Sequence, residues 1–177
     1  MMDPRYPIGP FVPTRKDEVS MAARLPGWID AIASCPQQLR FAVQGLHPEQ
    51  LATAYREGGW TLRDVAHHVP DSHMNAVLRL KLALTEDDPW IRPYFEDRVA
   101  RLPDYARVPV DVSVDLLASL HARWVALLRN LAPQAFSRTF RHPESGRMTV
   151  ADLVEMYAWH GRHHVAQITH ARARAGW

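Results

Sequence analysis

Two segments of the chain contain histidines whose spacing would allow them to bind a metal. His160 and His164 are four residues apart near the end of the chain, and the pair His67-His68 lies far earlier. Residues i and i+4 lie one above the other on a helix face, so His160 and His164 could bind one divalent metal together. A third imidazole from another helix would complete three protein ligands and leave a position for water or substrate. That arrangement is typical of a catalytic zinc-type site rather than a closed structural one.

Only one residue of the earlier pair can face this site, because neighbouring residues on a helix point ~100° apart. We predict that His68 faces inward and that His67 turns aside. Asp64 or Asp71 could accept the second imidazole N–H of His68 and fix its tautomer, and a solvated acid is the alternative for each. His163 is predicted to be a neighbour or rim residue. A solvated face with histidines paired by chance is the alternative interpretation of the spacing.

The residue that follows His160 is Gly161, whereas the H-E-x-x-H motif of zinc proteases has a glutamate there as general base. Three neutral ligands would leave the charge of the metal uncompensated, so a metal-bound hydroxide could still form. The same charge would stabilise a bound thiolate, and a thiol needs less help from a base because its pKa starts near ~8.5. The missing glutamate therefore favours thiol activation over peptide hydrolysis.

Four long amphipathic helices are predicted to position these histidines. Their apolar spacing indicates helices over about residues 26–45, 62–84, 113–131 and 149–173. Residues 86–112 contain four prolines and form a connection too long for an ordinary bundle turn, so we expect a crossover or a functional lid. No convincing strand pair is present. We predict an all-α four-helix bundle with a long crossover, in one domain over residues 1–177 with an extended arm over residues 1–20.

Helix boundaries can be predicted from capping residues and prolines. Thr61 and Thr149 are each followed three residues later by an aspartate, which predicts a capping box at the second and fourth helices. Ser113 is predicted to cap the third helix. Pro36 should bend the first helix and Pro70 the second, because a proline inside a helix removes a hydrogen bond.

Composition excludes several classes of protein. The 177 residues have a formal net charge of +2 without a block of basic residues, which argues against nucleic-acid binding. Cys35 is the single cysteine, so an internal disulfide and a cysteine metal cluster are excluded, and a buried apolar role is expected for it. No run approaches the ~20 apolar residues of a membrane span, and the proline-rich start is not a targeting signal. We expect a cytoplasmic protein.

Several motifs spread along the chain resemble those of a known family. They lie at residues 6–9, 55–61, 71–75, 91–94, 120–124 and 159–168. Together they resemble the YfiT-type members of the DinB-like (DinB/YfiT) superfamily, which are small metal-dependent four-helix bundles. The resemblance covers nearly the whole chain.

The resemblance implies a metal held by three histidines, which correspond here to His68, His160 and His164. His68 is preferred to His67 because the family ligand directly precedes an apolar residue, here Val69. The family implies a metal-dependent hydrolase or a thiol S-transferase that uses bacillithiol, and a homodimer. Pro70 departs from the family pattern, which is apolar and helical at that position.

The leading hypothesis is a metalloenzyme that transfers a low-molecular-weight thiol to an electrophile. Hydrolysis of a small substrate by a metal-bound hydroxide is one alternative, and a metal-binding stress protein without turnover is another. Imidazole ligands suit zinc, nickel, copper and iron, and zinc or nickel is expected. Arg92, Tyr94 and His73 are candidates for the pocket wall, with Arg92 placed to pair with a substrate carboxylate.

Overall fold

Four long helices account for most of the computed structural model, which describes residues 3–14 and 18–177. The long helices are α1 (Glu18–Val43), α3 (Leu62–Thr85), α6 (Val110–Arg129) and α7 (Val150–Ala175). The shorter elements are α2 (Pro48–Leu51), α4 (Glu96–Val99), α5 (Pro103–Arg107), a 3₁₀ turn (Pro133–Ser137) and strands β1 (Thr139–His142) and β2 (Gly146–Thr149). The predicted four-helix bundle is confirmed.

The helices joined first and last along the chain, α1 with α3 and α6 with α7, are not packed neighbours in this bundle. α1 and α3 lie diagonally opposite each other, and each packs against both α6 and α7. The connection between α3 and α6, which contains α4 and α5, is the predicted long crossover. Because α3 and α7 are neighbours, histidines on their facing sides can meet.

The core is built from the apolar faces of all four long helices. Its largest fully buried apolar side chains are Ile32, Leu39, Leu62, Leu80, Leu117, Trp124, Leu128, Leu153 and Ile168, together with Phe140 of β1. Full burial of one such side chain is worth about 1.5–3 kcal/mol, so we expect the bundle to form without a bound metal. Among the described residues, no helix is both long enough and apolar enough for a membrane span.

Two helix starts follow the predicted capping boxes. The Asp64 N–H donates to Thr61 Oγ1 at 3.0 Å, and the Thr61 N–H donates to Asp64 Oδ2 at 2.9 Å. At α7 the same reciprocal pair joins Thr149 and Asp152, at 3.1 and 2.7 Å. Each pair satisfies two groups that a helix start leaves without intrahelical partners.

The predicted cap at Ser113 is wrong. α6 begins three residues earlier at Val110, because Pro109 adopts an extended conformation (φ −60°, ψ 140°) from which the helix can start directly. Ser113 therefore lies within the first turn of α6, and its hydroxyl is available for a partner on another helix.

The predicted start of α1 at Pro26 is also wrong, since the helix begins at Glu18 and continues through both Pro26 and Pro36. Pro26 is exposed, so the carbonyl group that its ring leaves unpaired can face solvent. Residues 1, 2 and 15–17 of the predicted arm lie outside the described residues. Residues 3–14, called the arm below, run along α7, where the Trp159 indole N–H donates to the Gly9 carbonyl oxygen at 3.2 Å.

A strand pair is present, contrary to the sequence prediction. β1 and β2 form an antiparallel hairpin in which Phe140 pairs with Met148. Each strand has only four residues, which is too short for a clear alternation of apolar and polar positions. The hairpin holds the start of the crossover, because Ile91 N–H donates to the Arg141 carbonyl oxygen at 3.0 Å.

Candidate metal centre

Three imidazoles from α3 and α7 converge at one point in the bundle. The Nε2 atom of His160 lies 3.2 Å from His164 Nε2 and 3.4 Å from His68 Nε2. The ligand atoms of all three residues lie within 4.8 Å of one another. His68 and His164 are buried, and His160 is partly exposed.

The Nε2–Nε2 separations of 3.2 and 3.4 Å and the charge state of the rings fit a divalent metal. Two nitrogens that each lie ~2.05 Å from a tetrahedral ion are about 3.3 Å apart. Burial lowers the pKa of His68 to about 4, and it holds the pKa values of His160 and His164 well below their usual range, where the neighbouring imidazoles lower them further. All three rings are therefore neutral near pH 7, which is the form that binds a metal.

The arm fixes the tautomer of His164 through one glutamine side chain. Gln167 Nε2 lies 3.3 Å from the Arg5 carbonyl oxygen and 3.0 Å from His163 Nε2. A carbonyl oxygen only accepts hydrogen bonds, so the amide nitrogen of Gln167 must face Arg5 and the amide oxygen must face His164. His164 Nδ1 donates to that oxygen at 2.8 Å, which leaves its Nε2 lone pair free to bind a metal.

His73 lies behind His160 rather than in the wall of a pocket, so that prediction is wrong. His73 is fully buried, and its Nε2 atom lies 3.1 Å from His160 Nδ1. The reason is angular: five positions after His68 on α3, a side chain points toward the bundle interior. His73 is thus placed to bond the nitrogen of His160 that faces away from the cluster.

Neither predicted acid contacts the second nitrogen of His68. Asp64 accepts the N–H of Thr61 in the capping box, and Asp71 Oδ2 accepts a hydrogen bond from Tyr105 Oη at 2.8 Å. The Nδ1 atom of His68 is buried and has no hydrogen-bond partner among the described residues. The prediction is therefore wrong, because both carboxylates serve closer partners.

The two remaining histidines of these segments point elsewhere. His67 turns aside as predicted, and its Nδ1 atom lies 2.7 Å from Ser113 Oγ on α6. His163 is a buried neighbour of the cluster rather than a rim residue. Its ring stacks on Trp159 with centroids 4.4 Å apart and planes 19° apart.

Comparison with known proteins assigns the chain to a family. The family model described as the DinB superfamily matches residues 31–168. The chain belongs to the DinB superfamily. Two proteins named "Putative metal-dependent hydrolase", from Bacillus mycoides (strain KBAB4) and Bacillus cereus (strain 03BB102), are each 50% identical to this DinB-superfamily chain, with both chains covered over 100% of their length.

Solved structures of relatives have the same fold. YfiT from Bacillus subtilis, described as a probable metal-dependent hydrolase with an unusual four-helix bundle topology, is 41% identical with a TM-score of 0.94, and 99% of each chain is covered. TT2238, a four-helix bundle protein, has a TM-score of 0.56 at 20% identity over 86% of this chain and 99% of its own, which supports the fold alone. The expected YfiT-type membership is confirmed.

Two hydroxyl groups next to the DinB histidine cluster were not predicted from the sequence. Ser72 Oγ lies 3.4 Å from His160 Nε2 and donates to Tyr157 Oη at 3.4 Å. Ser72 follows His68 by four residues and Tyr157 precedes His160 by three, so helical spacing was the available signal. Tyr94 lies beside the same Ser72 hydroxyl. Burial raises the pKa of Tyr94, and its hydrogen bond with Ser72 lowers that pKa by a smaller amount.

The loop before α3 contacts the cluster through an indole, and the crossover contacts that indole through an acid. The indole of Trp60 packs on His68 with ring centroids 4.6 Å apart, and its N–H donates to Asp97 Oδ1 at 3.0 Å. The charge of Asp97 opposes the burial that lowers the pKa of His68.

The side chain of Arg92 is exposed, while its carbonyl oxygen accepts a hydrogen bond from Arg79 Nη2 at 3.1 Å. The pairing of the Arg92 side chain with a substrate carboxylate stays a prediction.

Gly161 occupies the glutamate position of the protease motif, and the structure gives this glycine a packing role. A Cβ atom there would lie 2.6 Å from Cys35 Sγ and 3.3 Å from Cys35 Cβ on α1. A side chain at position 161 therefore points at α1 rather than at the three Nε2 atoms. Cys35 is buried, and burial raises the pKa of its thiol to about 12, as expected for an inert core residue.

Gly161→Ala should lower the free energy of unfolding by about 1–3 kcal/mol, because the added methyl group overpacks the contact with Cys35. Urea unfolding followed by circular dichroism measures this change. Adding Cys35→Ala should recover part of the loss by removing Sγ. Gly27→Ala in α1 is the matched control, since nothing lies within 4 Å of its added Cβ. Equal stability of Gly161→Ala and the wild type would contradict the tight contact.

Proposed function

We propose that this chain is an enzyme in which the Nε2 atoms of His68, His160 and His164 hold one divalent metal, zinc or nickel, and that it transfers a low-molecular-weight thiol to an electrophile. The observation that supports the proposal most directly is the convergence of three neutral imidazoles within 4.8 Å. When bound, the metal would supply a positive charge that lowers the pKa of a coordinated thiol or water.

The protein side chains around the cluster suit this chemistry. Three imidazoles carry no negative charge, so they leave the charge of a cation uncompensated for an anionic nucleophile. The Tyr157 hydroxyl accepts a hydrogen bond from Ser72, and its own O–H lies on the His160 side, where it can donate to a thiolate or to a leaving group. Trp60 covers His68, which limits the access of water on that side.

The similar proteins support the coarser statement that this is a metal-dependent enzyme. Both Bacillus relatives and YfiT have names or descriptions of metal-dependent hydrolases, so hydrolysis of a small substrate is the second candidate. Gly161 favours thiol activation, because its position faces Cys35 and leaves no glutamate beside His160 to act as general base.

Cobalt substitution separates the two reactions. The cobalt-loaded protein is mixed with bacillithiol or another cellular thiol, and then with a chlorinated or epoxide electrophile. We expect a sulfur-to-metal charge-transfer band when the thiol is added, release of a proton near neutral pH, and formation of a thioether product. His164→Ala protein, treated in the same way, is the control and should give none of these signals.

The same protein is also tested with ester and amide substrates. Hydrolysis with an acidic limb near pH ~7, and no spectral change with any thiol, would replace the thiol proposal by hydrolysis. If metal binds and no substrate of either kind turns over, the non-enzymatic metal-binding protein becomes the better interpretation.

A further inference from the structure

A proline in α1 leaves a buried backbone carbonyl group without its helical partner. In a helix the N–H of residue 36 would donate to the carbonyl oxygen of residue 32, and Pro36 has no N–H. Both Ile32 and Pro36 are buried, so water cannot compensate the lost bond easily. His121 of α6 occupies this acceptor instead, with its Nδ1 atom 2.6 Å from the Ile32 carbonyl oxygen.

This carbonyl group determines the tautomers of three successive imidazoles. Since the oxygen of Ile32 only accepts, His121 must carry its hydrogen on Nδ1 and accept on Nε2. His73 Nδ1 lies 2.8 Å from His121 Nε2 and must donate to it, which leaves His73 Nε2 as an acceptor. His160 Nδ1, 3.1 Å away, must then donate to His73, and the lone pair of His160 falls on Nε2.

Packing holds this chain of hydrogen bonds in place. The ring planes of His73 and His121 are 15° apart, which suits a bond between their edges, and Trp124 meets both rings edge-on at 5.7 and 5.5 Å between centroids. His73 and His121 are 0% and 2% exposed. This series of hydrogen bonds uses one residue from each long helix, in the order α7, α3, α6 and α1. Its geometry is therefore set by the packing of the whole bundle.

We propose that His121 and His73 are positioning residues for the metal centre, and that Pro36 is the residue that makes the Ile32 carbonyl group available to anchor them. The relay that runs from Ile32 through His121 and His73 to His160 presents the His160 Nε2 lone pair to the metal. Its effect on affinity rests on the proposed function, because it requires that the cluster binds a metal. Groups that hydrogen-bond the second nitrogen of a metal-binding histidine typically contribute about 10–100-fold to metal affinity.

Two substitutions at one position test the relay. His121→Gln keeps an amide N–H for Ile32 and an oxygen acceptor for His73, whereas His121→Phe keeps a ring of similar shape and removes both polar atoms. Zinc affinity is measured on the full chain by competition with a chromophoric chelator. We expect His121→Phe to bind about 10–100-fold more weakly than the wild type and His121→Gln to recover most of the affinity. Equal affinities of wild type and His121→Phe would overturn the proposal.

A second measurement does not depend on folding of the variants or on metal. Long-range ¹⁵N–¹H correlation spectra of the metal-free wild type report which ring nitrogen carries the hydrogen. We expect Nδ1–H at His121, His73 and His160, and an Nε2–H at any of the three would overturn the relay. A wild type with these tautomers and no metal binding would instead contradict the proposed function.

The role of Pro36 has its own test. Pro36→Ala restores an N–H that competes with His121 for the Ile32 carbonyl oxygen, so metal affinity should fall even though a helix-breaking residue has been removed. Pro26→Ala, at the exposed proline of the same helix, is the matched control and should leave affinity unchanged. Unchanged affinity in Pro36→Ala would show that this proline acts only on the backbone of α1.

Discussion

Replacing His160 by alanine should remove high-affinity metal binding, because a site with two of three ligands retains only weak bidentate binding. The Nε2 atom of His160 lies within 3.4 Å of the Nε2 atoms of both His68 and His164, so it is the central member of the candidate site. The loss should exceed the ~10–100-fold that outer partners contribute. Metal content after dialysis, together with chelator competition, measures it, and His68→Ala and His164→Ala should behave similarly. Far-UV circular dichroism should remain helical, because the apolar core does not include the cluster.

His67→Ala and His163→Ala are the matched controls and should retain metal. His67 bonds Ser113, and His163 stacks on Trp159, so their loss affects packing rather than the ligand set. If His67→Ala lost its metal and His68→Ala retained it, the assignment of the inward-facing residue would be wrong.

The metal-free protein should lose several kcal/mol of stability as the pH falls from 6.5 to 4. Burial lowers the pKa of His121 and of His163 from 6.5 to about 4. Between these values the unfolded chain binds more protons than the folded chain. The contribution of these two imidazoles to the free energy of unfolding is therefore complete above pH 6.5 and is lost as the pH falls toward 4. Each residue accounts for about 3 kcal/mol of this loss. Urea unfolding at a series of pH values in the presence of a chelator measures it.

The His121→Gln variant is the control for the pH dependence. Glutamine does not titrate, so the stability of this variant should fall by about 3 kcal/mol less over the same range. A metal-free wild type whose stability is flat between pH 6.5 and 4 would show that these imidazoles reach solvent when protonated.

The convergence of His68, His160 and His164 could be predicted because it depends on local rules. The i, i+4 spacing of His160 and His164 and the angular separation of His67 from His68 follow from helix geometry, and the structure brings the predicted three side chains together. The capping boxes at Thr61 and Thr149 were predictable for the same reason, since all of their atoms belong to four consecutive residues.

The surroundings of the ligands could not be predicted, because they depend on which helices are neighbours. The contact between His73 and His121 requires α3 beside α6, and no periodicity within either helix contains that information. The partner of Ser113 is likewise on another helix. Pro36 shows the limit most clearly: the sequence indicated a missing hydrogen bond at Ile32, and only the packing of α6 on α1 shows that His121 replaces it.

The contact of the arm with Gln167 makes one ligand sensitive to a distant part of the chain. The Arg5 carbonyl oxygen holds the amide nitrogen of Gln167, 162 residues away in sequence, and so keeps the amide oxygen toward His164. Without that contact the amide could flip and present an N–H to His164 Nδ1, which would move the imidazole hydrogen to Nε2 and block the metal-binding lone pair. Proteolytic trimming of the first residues, or a fused tag that displaces them, would thus act as a remote inhibitor of metal uptake.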